Sequence, residues 1–289
     1  MSENFFKIVG LGEVLWDVLP AGKQLGGASA NFAYIASQLG NQGIVASRIG
    51  NDPNGKKILE DLEKTGVEVS HIQNDAEHQT GTVNVALQNG QPSYEITESV
   101  AWDFLELSKD WQNLAATCDA VSFGTLAQRN LVSRQTIQGF LNLVKPVCLR
   151  IFDVNLRENY FSMELIRESL NLADVVKLNH EELPQIVVMF AINSVTEIEQ
   201  IKRLRGKFGL RLICVTRGSN GSLLVTEDEI SENKGIKIEI ADTIGAGDAF
   251  TAAIAHGILQ GWNLAEINEK ANQTGSFVAS QTGAMPKFQ

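Results

Sequence analysis

The stretch ADTIGAGDAFTAAIAHGILQG, residues 241–261, holds a carboxylate, Asp248, between a turn of small residues and an apolar run. The turn consists of Gly245, Ala246 and Gly247. The apolar run predicts a helix that is buried on nearly every side. Free N–H groups in the first turn of such a helix, together with its dipole, attract an anion. The stretch therefore predicts an anion-binding turn with an acid at its rim.

The acid itself has two interpretations. As a residue of the first helical turn, Asp248 can simply stabilise the positive end of the helix. Capping does not explain the three consecutive small residues before it, which are useful where a bulky anion must contact the backbone. An acid beside a phosphate repels it, but can take a proton from a hydroxyl that attacks phosphorus. The stretch thus favours phosphoryl transfer, with capping as the alternative.

The composition limits the class of protein. The chain has 289 residues, of which 44% are hydrophobic and 20% charged, which favours a packed core over disorder. A net charge of -10 without a block of five like charges argues against nucleic acid or an anionic membrane as a partner. The start of the chain lacks a basic region, and the longest apolar run ends at His256, short of a membrane span. We expect a cytoplasmic protein.

The three cysteines do not form a recognisable metal or disulfide pattern. Cys118, Cys148 and Cys214 are odd in number, lack CxxC spacing and lie in or beside apolar stretches. This distribution predicts reduced thiols in the core.

Apolar strand-like segments alternate with amphipathic helix-like segments along most of the chain. This alternation predicts an α/β fold with a mostly parallel sheet and helices on both sides. The predicted helices include 28–40, 55–66 and the apolar run after Asp248. The predicted strands lie at 5–9, 43–49, 119–123, 147–154, 173–179, 211–216, 222–226 and 236–242.

Residues 80–98 break this rhythm. Apolar residues alternate on both sides of Asn89-Gly90, which predicts a hairpin with one exposed face. Such a hairpin in an α/β chain can be a lid, an oligomer contact or an edge ornament.

Two segments resemble nucleotide motifs incompletely. GLGEVL (10–15) follows a strand but lacks the third glycine of a dinucleotide fingerprint. GNDPNGKK (50–57) matches GxxxxGK, but Lys57 stands where a phosphate loop needs Ser or Thr. Ordinary turn chemistry explains both segments.

Several motifs in one order resemble the ribokinase-like sugar kinases, also called the phosphofructokinase-B family. DTIGAGDAF resembles its C-terminal signature, and GEVLWD with GGASANFAYIASQLG resembles its N-terminal signature. The later landmarks are RIGNDPNGKKILEDLEKTGV, DVNLR, KLNHEEL and VTRGSNGSLL, so the resemblance covers nearly the whole chain. It implies a three-layer ribokinase-like α/β domain over 1–289, with a small β lid from about 13–25 and 80–103.

The resemblance also implies roles for the residues near the reacting groups. Asp248 would be the general base, and Gly245, Ala246 and Gly247 would form the anion hole. Polar groups that suit sugar hydroxyls lie in the N-terminal signature, although a polar turn and helix capping would also explain them. By resemblance the sugar would contact Asp17, Gly26, Gly27, Asn31 and Arg157.

The nucleotide and metal residues are implied in the same way. Asn179 and Glu182 match the family's NxxE pair, which would hold Mg²⁺, its waters and the phosphates, whereas from the residues alone a capping box is as good an explanation. Asp153 would be a further carboxylate near Mg²⁺. Asp242 and the Ile244 carbonyl would bind a monovalent cation such as K⁺. The nucleotide would contact Thr216, Gly218, Gly221 and Asn272.

The sequence thus predicts an ATP-dependent sugar kinase acting on a primary hydroxyl, and the opening signature with SYEITESVAWDFL (93–105) is most like the fructokinases. The alternatives are a 2-keto-3-deoxygluconate kinase, a ribokinase, or a homologue that senses a sugar without turnover. The expected partners are a sugar and ATP, with neither nucleic acid nor membrane. The family also allows a homodimer formed through the lid.

Overall fold

Two sheets organise the chain, and the computed structural model describes residues 5–19, 22–88 and 91–288. The strands are β1 (Lys7–Leu11), β2 (Leu15–Leu19), β3 (Gly22–Gly26), β4 (Gln42–Gly50), β5 (Ile72–Asp75), β6 (Gly81–Gln88), β7 (Gln91–Ile96), β8 (Ala120–Gly124), β9 (Leu149–Asp153), β10 (Val175–Asn179), β11 (Leu212–Thr216), β12 (Ser222–Val225) and β13 (Ile230–Asn233). The α-helices are α1 (Ala28–Gln38), α2 (Pro53–Glu63), α3 (Lys109–Thr117), α4 (Leu131–Leu143), α5 (Met163–Leu172), α6 (Glu182–Met189), α7 (Glu197–Phe208), α8 (Ala246–Gln260) and α9 (Leu264–Ala279).

The large sheet has the strand order β13-β12-β11-β10-β9-β8-β1-β4-β5. Its strands are parallel from β11 to β5, and only β12 and β13 pair in the antiparallel sense. The carboxyl ends of the parallel strands therefore meet at one edge, where ligands of open α/β sheets bind. The predicted mostly parallel sheet is confirmed.

Helices cover both faces of the large sheet, because its strands are apolar on both sides. On one face, α3 to α7 contribute residues such as Trp111 and Phe140 to a buried cluster. On the other face, α1, α2, α8 and α9 contribute residues such as Ile35 and Ile254. The result is the expected three-layer arrangement, in which α8 is buried along most of its length.

The segment GNDPNGKK begins α2. Asp52 precedes the helix and accepts a hydrogen bond from the Gly55 amide at 2.9 Å, and Pro53 is the first helical residue. A capping acid followed by proline is a common way to begin a helix. The turn explanation of this segment is confirmed.

The predicted hairpin is present and belongs to a separate small sheet. β6 and β7 are antiparallel, β2 pairs with β3 in the antiparallel sense, and β2 joins β6 in the parallel sense. This small sheet, in the order β3-β2-β6-β7, forms a lid. The turn predicted at Asn89-Gly90 lies outside the described residues.

An arginine anchors the segment that follows the hairpin. Arg129 donates two hydrogen bonds of 2.8 Å to Asp103 and one to the carbonyl of Thr97. Its guanidinium lies 4.0 Å from the ring centre of Trp102 and 4.9 Å from that of Tyr160. A paired and stacked guanidinium fixes geometry well, so the segment after β7 is held to the connection between β8 and α4.

The strand predicted at 236–242 is wrong. The preceding segment forms β13, and residues 234–241 have no strand structure. The alternating isoleucines do not cover the core, since Ile236 and Ile240 are 37% and 60% exposed. Alternation predicts a strand only where a neighbouring strand and a buried face are available.

Two further expectations concern the interior. Cys118, Cys148 and Cys214 are buried and free, as predicted for core thiols. Within the described residues, no helix combines the length and apolar character needed to cross a bilayer.

Candidate active site

The turn before α8 has the geometry that its small residues predict. Gly245 precedes the helix with a φ of 77°, which favours glycine. A Cβ at this position would lie 2.5 Å from the Cβ of Ala284, so a side chain has no room. The Ala246 amide donates to the Thr243 carbonyl at 3.3 Å. The following amides belong to the first helical turn, where N–H groups have no acceptor within the helix and remain available to an anion.

Asp248 lies in this first turn and contacts Asn31, a residue of the N-terminal signature. Its Oδ2 accepts a hydrogen bond of 2.8 Å from Nδ2 of Asn31 on α1. Burial raises the pKa of Asp248 to about 6, and the charge of Asp153 raises it too, while Asn31, Lys177 and Arg157 lower it. A carboxylate with such a pKa can accept a proton near neutral pH.

Asn31 has a further free acceptor. The residue is 3% exposed, and its Oδ1 is buried without a hydrogen-bond partner in the described part of the chain. An unpaired buried carbonyl is costly, so it indicates a place where a hydrogen-bond donor can bind. A hydroxyl group is a donor that fits this position beside Asp248.

Asp248 and Asp153 line a cleft. Of the other residues predicted to contact sugar, Asp17 and Gly26 lie on β2 and β3, and Gly27 lies just before α1. Asp17 on β2 lies so close to Gly26 that a Cβ there would be 2.2 Å from the carboxylate. Gly27 precedes α1 with a φ of 103°. Burial raises the pKa of Asp17 to about 6, and the charge of Arg157 opposes this. Arg157 is exposed, and its charge also lowers the pKa of Asp248, so this cation lies near both carboxylates.

Sequence reasoning missed Glu13, which lines the cleft together with Asp248 and Asp153. It is 4% exposed, and its Oε1 accepts a hydrogen bond of 3.0 Å from the Ala28 amide at the start of α1. Burial raises the pKa of Glu13 to about 7. The available signal was an acid within the apolar segment LGEVL. Glutamate is almost never fully buried unless it is paired, so a buried glutamate points to a specific partner.

Sequence reasoning also missed Lys177 in the strand VVKLN. This lysine is 7% exposed, and its Nζ lies 3.0 Å from Oδ1 of Asp153. Burial would lower the pKa of Lys177, but Asp153 and Glu182 raise it above the ordinary value, so the ammonium is charged. Oδ2 of Asp153 accepts a hydrogen bond of 2.9 Å from Thr251 on α8.

Asn179 and Glu182 make the hydrogen bonds of a capping box. Oδ1 of Asn179 accepts from the amides of Glu181 and Glu182 at 2.8 and 2.9 Å, and Oε2 of Glu182 accepts from the Asn179 amide at 2.8 Å. Oε1 of Glu182 accepts from the Leu156 amide at 2.8 Å. The capping interpretation is therefore confirmed, and the pair also joins the start of α6 to the loop that carries Arg157.

These oxygens suit a magnesium ion that keeps most of its own waters. Within the described residues, no group of three His, Cys, Asp or Glu side chains could hold a metal alone. Each oxygen of Glu182 and Asp153 already accepts one hydrogen bond and retains a second acceptor position. Mg²⁺ commonly binds through one or two carboxylates, waters and substrate phosphates, so the residues fit an ion carried with a nucleotide.

The predicted nucleotide residues form a second group around Ser222. Gly218 and Gly221 have φ values of 57° and 83° in the turn after β11, and a Cβ on Gly221 would lie 2.0 Å from the Asn233 carbonyl. Thr216 ends β11 opposite Ser222. Nδ2 of Asn272 donates to the Ser222 hydroxyl at 2.7 Å. This turn is thus tied to α9.

Asp242 holds the loop behind the anion-binding turn. Its two oxygens accept hydrogen bonds from the amides of Ile244 at 3.0 Å and Gly283 at 3.2 Å. The carboxylate thus ties the loop before α8 to the segment after α9. Binding of a monovalent cation there stays a prediction.

Comparisons with known proteins identify the family and the fold. A model of the pfkB family of carbohydrate kinases matches residues 12–289. A fructokinase of Escherichia coli is 28% identical over 306 residues, with 96% of this chain and 95% of the relative covered. Both the fold prediction and the family resemblance are confirmed by these matches and by solved structures.

Two solved structures are similar over nearly the whole chain. A sugar kinase from Pyrococcus horikoshii, crystallised with ATP, has a TM-score of 0.81 at 28% identity, covering 96% of this chain and 94% of its own. A fructokinase from Vibrio cholerae O395, crystallised with fructose, ADP and calcium, has a TM-score of 0.82 at 26% identity, covering 97% and 94%. The chain belongs to the pfkB family of carbohydrate kinases.

Proposed function

We propose that this carbohydrate kinase transfers the γ-phosphoryl group of ATP to a primary hydroxyl of fructose. The observation that carries the proposal is the pairing of Asp248 with Asn31, because it places a base beside a buried acceptor that suits a hydroxyl donor, at the start of α8. The similar fructokinase crystallised with fructose and ADP supports the choice of sugar.

The chain's own residues suit each part of this reaction. Asp248 takes the proton of the attacking hydroxyl as its oxygen bonds to the γ-phosphorus, and the bond from that phosphorus to the β–γ bridging oxygen breaks to release ADP. The free amides at the start of α8 donate to the phosphoryl oxygens while charge builds on them. Asp17 and Asn31 orient the sugar. Mg²⁺, held through waters by Glu182 and Asp153, would neutralise phosphate charge.

A comparison of acceptors tests the choice of sugar. With Mg-ATP, ADP release should rise well above the sugar-free background with fructose and remain at background with adenosine. Ribose, tagatose and 2-keto-3-deoxygluconate complete the series. A clear preference for ketodeoxygluconate would replace the fructose assignment, with Arg157, which lies near Asp17 and Asp248, as the cation for a substrate carboxylate. ADP release that no sugar raises would contradict the proposal.

Replacing Asp17 with alanine should raise KM for the sugar by about 10- to 100-fold, because hydrogen bonds to a charged group typically contribute 1.5–3 kcal/mol. KM for ATP should change little, since Asp17 lies on the lid. Steady-state kinetics with each substrate varied in turn measures both values. Equal increases in the two KM values would remove Asp17 from the sugar site.

The small sheet offers a matched control for this experiment. Gln24 lies opposite Asp17 in register, so the two residues share one face of the small sheet. Lys23 is adjacent to Gln24 in sequence and therefore lies on the other face. Lys23 donates to Oδ1 of Asn54 at 2.8 Å. Lys23→Ala should therefore leave both KM values near those of the wild type.

A further inference from the structure

A buried lysine lies beside the anion-binding turn. Lys177 is in register with Asp153 on β9, and both strands end at the edge of the sheet where α8 begins. Asp153 also accepts a hydrogen bond from Thr251 on α8, so the pair lies under this helix. A Cβ on Gly247 would be 3.0 Å from Nζ of Lys177. The ammonium therefore lies against the backbone of the turn at Gly247. Because glycine has no side chain, nothing at this position separates the ammonium from the turn.

The charges around this ammonium do not balance. Lys177 interacts electrostatically with Asp153, Glu182 and Asp248, and Arg157 also acts on Asp248, so two cations are set against three acids. In the described residues its hydrogen-bond acceptor is Oδ1 of Asp153, whereas an ammonium has three donors. A lysine that served only as the counter-ion of Asp153 would not need a position against Gly247.

We infer that Lys177 binds the phosphoryl group that is transferred, as the cationic member of a site whose other donors are the amides at the start of α8. The inference rests on the proposed function. The three acids would repel a γ-phosphate, and the amides carry only partial charge. A full positive charge in a buried place attracts phosphate oxygens strongly, because screening by water is weak there.

The test compares ATP with ADP, which differ in the group that Lys177 should contact. For Lys177→Met, titration calorimetry in EDTA should show ATP binding weakened by about 10-fold or more, as expected for one lost charge-assisted contact. ADP binding should change little. Equal losses for both nucleotides, or no loss, would overturn the inference. EDTA removes effects that Asp153 exerts through a metal ion.

Two more variants separate this role from a structural one. Lys177→Met leaves Asp153 buried and unpaired, which can prevent folding. The double variant Lys177→Met/Asp153→Asn removes both charges and should fold. Its ratio of ADP to ATP dissociation constants should nevertheless be lower than that of the wild type, as in the single variant. This ratio is the preference for ATP. Asp153→Asn alone keeps the ammonium and should retain that preference. A double variant with the wild-type ratio of ADP to ATP dissociation constants would show that Lys177 is only a counter-ion.

The wild-type enzyme separates failure of this inference from failure of the proposed function. If the wild type phosphorylates a sugar and the Lys177 variants bind ATP as it does, only the inference is wrong. A wild type that neither binds ATP nor phosphorylates any sugar would overturn both.

Discussion

Asp248→Asn should lower kcat by about 10² to 10⁴, the usual effect of removing a general base. Asparagine keeps the size of the side chain and can still accept the hydrogen bond from Asn31. It cannot take the proton of the attacking hydroxyl. ATP affinity should be unchanged or slightly higher, because a negative charge near the phosphates is removed. Single-turnover and steady-state kinetics with fructose and Mg-ATP measure both effects.

The fold of this variant can be checked independently of its activity. Burial raises the pKa of Asp248 to about 6 from an ordinary 3.8. The folded state therefore binds a proton more tightly than the unfolded state, and the wild type loses stability as pH rises through this window. Above pH 6 the asparagine variant should be at least as stable as the wild type. A folded variant that retains most of its kcat would make Asp248 only a helix cap.

The same pKa predicts the acid side of the wild-type pH profile. Asp248 must be ionised to accept a proton, so kcat at saturating sugar should fall as pH decreases through about 6. This quantity leaves out sugar binding by Asp17, whose pKa burial also raises to about 6. The Asn variant should lack this decrease in its remaining activity. An unchanged profile in the variant would assign the decrease to another group.

Most of the fold could be predicted because it depends on local patterns. The parallel strands are short apolar runs, and α1 ends before Gly40, whose φ of 86° shows the predicted glycine stop. The segment 236–242 has an equally good alternating pattern, but none of its residues lies in a strand. Alternation is a property of the segment alone, whereas strand pairing requires a neighbouring strand that another part of the chain provides.

The candidate site could be predicted only where a motif marks it. The family signatures pointed to Asp248 and Asn31, which are 217 positions apart and share a hydrogen bond. Glu13 and Lys177 stand as single charged residues in apolar segments, and burial makes such residues costly unless partners are present. Those partners come from other elements, including Ala28, Asp153 and Glu182. Spacing within one segment carries no information about them.

Glu13→Gln should stabilise the protein at pH 8. Burial raises the pKa of Glu13 to about 7 from an ordinary 4.5. Between these values the folded state holds more protons than the unfolded state, so stability is lost as pH rises through the window. At 1.36 kcal/mol per pKa unit, the ionised carboxylate costs about 3 kcal/mol above pH 7. Glutamine can still accept the hydrogen bond from the Ala28 amide and carries no charge.

Denaturant unfolding at two pH values tests this effect. The gain of Glu13→Gln over the wild type should be about 3 kcal/mol at pH 8 and should fall below about 0.5 kcal/mol near pH 4.5, where the carboxyl of the folded protein is neutral. Glu239→Gln, at an exposed position, is the matched control and should change stability by less than about 0.5 kcal/mol at either pH. An equal gain at both pH values would mean that packing, not charge, separates the variants. The stabilised variant should also phosphorylate sugar more slowly, because costly buried acids in natural proteins are concentrated at functional sites.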